Sequence, residues 1–83
     1  MIEQKTFKTK VNIHIEDRTM DIKFWPESDM AVYDICSMEG RILKTGKVPS
    51  RGGVSVDLME LSEGHYNLII MDGERLHKEM FQI

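Results

Sequence analysis

From Val11 to its end the chain runs in short stretches that alternate apolar and polar residues, cut every eight to twelve residues by clusters of Gly, Pro, Asp and Ser. A period of two would scatter apolar side chains around a helix axis, whereas on a strand it turns them all to one side. Val11, Ile13 and Ile15 alternate with Asn12, His14 and Glu16, and the Glu16-Asp17-Arg18 turn leads to Met20, Ile22 and Phe24, so these two stretches read as a hairpin. Pro26 removes a backbone donor and, with Glu27, Ser28 and Asp29, marks a loop before a third strand, Met30 to Ser37. Ser37-Met38-Glu39-Gly40 is a tight turn, and Arg41 to Lys47 is the returning strand. Beyond the loop Pro49 to Gly53, Val54, Val56 and Leu58 form a fifth strand, followed by the connection Met59 to Gly64. Tyr66, Leu68 and Ile70 make the core face of a sixth. Asp72-Gly73 reads as a two-residue hairpin turn, and Glu74 to Ile83 as the last strand, with Phe81 and Ile83 inward.

Eighty-three residues suffice for one domain with a small core. With 41% apolar and 30% charged residues the chain is neither a disordered segment nor a membrane span. The only helix candidate, Leu58 to Glu63, is too short and ends in Gly64. The expected fold is all-β: an immunoglobulin-like antiparallel sandwich of about seven strands over residues 11–83. Residues 1–10 are expected to be a flexible or edge-strand segment that Phe7 could pin.

A formal charge of -3 argues against nucleic acid, whose affinity for proteins comes mainly from Lys and Arg displacing counterions. The lone Cys36 cannot close an intramolecular disulfide, though it could join two chains under oxidising conditions. Met1 to Lys10 is polar and Lys-rich, unlike a signal peptide.

Catalytic, cofactor and metal constellations are not expected. His14 and Glu16 share one outward strand face, a spacing that needs a third ligand, and nothing brings His65 or His77 to them. Cys36 has no sequence-local partner for nucleophilic catalysis. Asp17, Asp29, Asp34, Asp57 and Asp72 fall at turns or strand ends, where Asp shapes loops, and Gly52-Gly53 lacks the strand and helix of a phosphate site. The chain is therefore expected to be non-enzymatic.

If Tyr33, Ile35, Tyr66, Leu68, Ile70, Phe81 and Ile83 face the core, strand parity puts Val32, Cys36, Ile69, Met71, Leu76 and Met80 on the opposite face. The third, sixth and seventh strands are neighbours in an immunoglobulin-like sheet, so these residues form one apolar patch suited to a protein partner or a homodimer. Methionines suit such a contact because they repack easily. A bulge in the last strand, or cover from Ile2 and Phe7, would remove the patch. Trp25 with Tyr33 raises a carbohydrate-binding alternative, and Trp25 could equally close one end of the core as a lid.

The second half carries a family resemblance. Ile35-Cys36-Ser37-Met38-Glu39-Gly40-Arg41-Ile42-Leu43, then Asp57-Leu58-Met59-Glu60-Leu61-Ser62-Glu63-Gly64-His65-Tyr66, then Asp72-Gly73 and Phe81, resembles the C-terminal sorting domain of type IX secretion cargo. That family has a strand, a D-x-x-G-[RK] turn, a D-L-x-x-L-x-x-G-x-Y corner and a final hairpin in this order. Its corner implies that Leu58 and Leu61 bury beneath the turn, Gly64 reverses the backbone and Tyr66 turns its ring inward. Ser37 departs from the family's Asp, and the residues before the motif are expected to form two further strands and not a cargo domain. The span from Val11 to Ile83 is also similar to small uncharacterised secreted immunoglobulin-like proteins of Bacteroidetes. Both resemblances imply export to the periplasm, the cell surface or beyond, a sandwich fold and no enzymatic chemistry.

Overall fold

The computed structural model describes residues 11–83; the expectations placed on residues 1–10 lie outside this range. Seven strands follow in order: β1 (Asn12–Glu16), β2 (Thr19–Lys23), β3 (Val32–Ser37), β4 (Ile42–Lys47), β5 (Gly53–Asp57), β6 (His65–Asp72) and β7 (Arg75–Gln82). They form a three-stranded sheet, β1-β2-β5, and a four-stranded sheet, β4-β3-β6-β7, with every pairing antiparallel. The chain changes sheet after β2, β4 and β5, which gives the all-β, immunoglobulin-like sandwich that the alternation predicts.

The side chains expected to face inward build the core. Met20, Ile22 and Phe24 from the first sheet meet Ile35, Leu68 and Ile70 from the second, all fully buried, and Leu58 closes one end. Tyr33, Tyr66 and Phe81 are buried as well, and Ile83 is half-buried. Tyr33 is accommodated by a missing side chain: it lies opposite Gly46 of β4, where a Cβ would stand 2.6 Å from the Tyr33 ring.

Both ends of the chain use two-residue hairpins. Asp17 and Arg18 take φ of 53° and 63°, the pair of left-handed residues that a type I′ turn requires. Arg18 also joins this hairpin to the β5–β6 connection, since its carbonyl accepts from Leu58 N at 2.8 Å and its guanidinium donates to the Leu61 carbonyl. The second hairpin differs from expectation by one residue. Its turn is Gly73-Glu74, and Asp72 is the last residue of β6, paired with Arg75. Positive φ is confined to Gly73 (62°), as in a turn of type II′ with Gly at its first central position.

The Ser37–Arg41 turn is closed by backbone and side-chain hydrogen bonds together. Gly40 N donates to Ser37 O and Ser37 N to Arg41 O, while the Ser37 hydroxyl accepts from Arg41 N at 3.1 Å. The hydroxyl thereby ties the first residue of the turn to the last.

Candidate interaction face

The register fixes the outer surface of the four-stranded sheet row by row. Lys47, Val32, Met71 and Leu76 stand side by side across the four strands; Thr45, Asp34, Ile69 and Lys78 form the next row, and Ile42, Cys36, Asn67 and Met80 the third. The residues read from the sequence as one apolar face therefore do share it, with β3, β6 and β7 adjacent. The parity of β7 is unshifted, because its pairing with β6 runs unbroken from His65↔Gln82 to Asp72↔Arg75. The irregularity lies in β4, where Leu43 is the extra residue between Ile42 and Lys44.

Two features correct the uniform apolar patch. Asp34, Asn67 and Lys78 have the same parity as the apolar residues and interrupt the patch, so the one row that is apolar across β3, β6 and β7 is Val32, Met71 and Leu76, with Ile69 next to Met71 along β6. Cys36 points to this face but is only 5% exposed, flanked in register by Asn67 and Ile42, and offers no contact surface. Burial raises the Cys36 thiol pKa, and the Asp34 charge raises it further. Both effects disfavour the thiolate needed for disulfide chemistry. Ellman's reagent is expected to label Cys36 in the native protein roughly a hundredfold or more slower than in the unfolded chain. Equal rates would show the thiol to be accessible and restore it as a site for joining two chains.

The row does not end at Val32. Beside it, between the β2–β3 loop and the start of the β4–β5 loop, lies a cavity of about 320 Å³ lined by Met30, Ala31, Val32, Val48 and Pro49, with Lys47 and Asp29 at its polar margin. Met30 is 78% exposed. The expected third strand begins at Met30, whereas β3 begins at Val32 and leaves Met30 in the loop. The available signal was its place after Ser28 and Asp29, where Ser28 Oγ accepts from Met30 N and holds it in the loop.

The remaining candidates are apart from this face. His14 and Glu16 form an exposed pair, Nε2 to Oε1 3.2 Å, on the outer side of β1. Among the described residues no group of three His, Cys, Asp or Glu side chains could hold a metal ion. Trp25 and Tyr33 make no platform: Tyr33 is in the core, while Trp25 is 64% exposed and its ring lies over Gly52. Nor is Trp25 a lid, because Phe24 fills that end of the core, its ring 4.8 Å from that of His77.

The corner residues lie in the β5–β6 connection. Leu58 and Leu61 are buried, Leu61 N donates to Leu58 O, and Gly64 exchanges two backbone hydrogen bonds with Ile83. Tyr66 is buried against Phe81, and its hydroxyl donates to the Ser62 carbonyl at 2.6 Å, which is the tyrosine corner of immunoglobulin-like sandwiches. These residues hold the fold and stand on the inner side of the sheet whose outer side carries the apolar row.

Among the described residues no helix is long and apolar enough to cross a membrane. Compared with known proteins, the chain matches no family model and no curated relative.

Proposed function

We propose that the protein is an exported, non-enzymatic binding module that engages a protein or envelope component through the outer face of its four-stranded sheet. The observation that carries this reading is the in-register row Val32, Met71 and Leu76, continued by the cavity beside Met30. Half-buried and exposed apolar side chains lined up across three strands and running into a concave end are what a partner's apolar side chains can fill. The resemblance to secreted sandwich proteins is what favours an exported location.

The test is retention of partners from an envelope fraction on the immobilised full chain, compared with Met71→Glu. A carboxylate in the middle of the row is expected to abolish specific retention and to lower stability by about 1 kcal/mol at most, since Met71 is only half-buried. If both proteins retain the same set, the face is not the binding site. A monomer–dimer equilibrium removed by the same substitution would make the partner a second copy.

A second reading, a type IX sorting signal, rests on the resemblance of the second half of the chain, whose corner residues Leu58, Leu61 and Tyr66 are buried. Export of a reporter fused to the full chain by a type IX system would support it, and retention would remove it.

A further inference from the structure

β7 is an edge strand of the four-stranded sheet. Gly64 and Ile83 exchange hydrogen bonds in both directions, 3.1 and 3.0 Å, so they are a hydrogen-bonded pair of the β6–β7 ladder. Antiparallel pairs alternate. The bonded partners along the hairpin are therefore Tyr66 with Phe81, Leu68 with Glu79, Ile70 with His77 and Asp72 with Arg75. The N–H and C=O groups of Leu76, Lys78, Met80 and Gln82 must then point away from β6, and no strand among the described residues pairs with that side. Such a row is a template for an added strand.

Side chains on both faces of the edge complement this backbone. On the outer face, Leu76 is 64% and Met80 61% exposed, with the exposed Lys78 between them. Lys78 has no ion-pair partner among the described residues. On the inner side, Val11, Ile13 and Ile15 of the β1 segment line an open depression of about 330 Å³ with Glu79, Met80, Phe81 and Gln82. A strand laid along β7 would cover that depression with every second side chain.

We propose that β7 binds an extended segment of another protein by antiparallel strand addition. The segment would carry an acidic residue opposite Lys78 and apolar residues two positions to either side, opposite Leu76 and Met80. Charge selects this occupant over a second copy. A two-fold pairing of β7 with itself centred on Lys78 opposes two ammonium groups. Centred one residue to either side, it sets Lys78 against Leu76 or Met80 and leaves the charge unmatched. The inference rests on the reading of the protein as a binding module and specifies how one partner is held.

The probe is the peptide acetyl-Ser-Ile-Val-Thr-Glu-Ser-Val-Lys-amide, added to the full chain and followed by amide shifts and hydrogen exchange. Binding is expected to slow exchange at Leu76, Lys78, Met80 and Gln82. Replacing the peptide's Glu by Lys should weaken it about fivefold, and Lys78→Glu should invert that preference. Met80→Pro removes an outward N–H without breaking the β6 ladder, so it should abolish binding while leaving the circular dichroism and Tm of the free protein nearly unchanged. The proposal is overturned by equal affinity for the two peptides, by no binding at millimolar peptide, or by shifts confined to Val32 and Met71. It is overturned equally if the four amides are already as protected in the free protein as that of Leu68, or become protected with protein concentration, because the edge is then occupied by the chain itself or by a second copy. Failure here with partner loss in Met71→Glu would leave the face reading standing; the reverse pattern would remove the face and keep the edge.

Discussion

Replacing Asp72 by Ala is expected to destabilise the protein by roughly 3 kcal/mol or more, far beyond what a turn residue contributes. Asp72 is 3% exposed, the one charged side chain buried among the described residues. Its Oδ2 accepts from Glu27 N at 2.7 Å and its Oδ1 from Ser28 N at 2.8 Å. One carboxylate at the end of β6 thereby fastens the β2–β3 loop, which carries Met30 and borders the cavity at the end of the apolar row. Alanine would leave two backbone donors without their acceptor, each costing about 1–3 kcal/mol if water cannot reach it. Asn keeps one carbonyl oxygen and should lose about half as much.

The same carboxylate gives stability a pH dependence with a definite sign. Burial by itself would raise the Asp72 pKa, but hydrogen bonds from Glu27 and Ser28 and the neighbouring His77 lower it below the ordinary carboxylate value. The folded state therefore holds the proton less tightly than the unfolded chain, whose Asp titrates near about 3.9. The contribution is complete above that value and is lost as pH falls through the lower folded pKa. Denaturant unfolding of wild type and Asp72→Asn should give stability curves that are separated at neutral pH and converge below about pH 4. Parallel curves across that range would show that the carboxylate's charge is not what holds the loop.

Asp72 also marks where sequence reading reached its limit. A period of two is a property of each strand alone, so the strands and their inward faces are legible from Val11 onward, while the adjacency of β3, β6 and β7 follows only from the expected immunoglobulin-like topology. Asp-Gly is equally consistent with a turn centred on those two residues and with one starting at Gly73. What decides is a pair of backbone donors 44 and 45 positions away, which local pattern does not contain. The outer face is limited differently: Asp34, Asn67 and Lys78 have the parity that puts them there, so strand alternation itself places polar residues within the patch. Cys36 was unreadable for a third reason, since its burial depends on cross-strand neighbours set by the pairing and by the Leu43 bulge.

The β5–β6 corner offers the other large effect. Leu58 is fully buried, its N–H donates to the Arg18 carbonyl, and Leu61 N donates to the Leu58 carbonyl. Leu58→Ala leaves a cavity among elements fixed by those bonds, which cannot easily collapse, and should cost roughly 2–5 kcal/mol. A domain of this length has a total stability of roughly 4–12 kcal/mol, so the variant is expected to be partly unfolded at 37 °C. Tyr66→Phe removes only the hydroxyl that donates to Ser62 O and should cost about 1–2 kcal/mol, with the ring still stacked on Phe81 at 5.7 Å. The two residues flank one connection and both hold it, so the double variant should lose less than the sum: once Leu58 is gone, the loop that presents the Ser62 carbonyl is already loosened. Urea titrations of the two single variants and the double variant measure this coupling. Strict additivity would mean that the leucine plug and the tyrosine hydroxyl hold the corner independently, and that the chain between them is fixed by its own turn geometry.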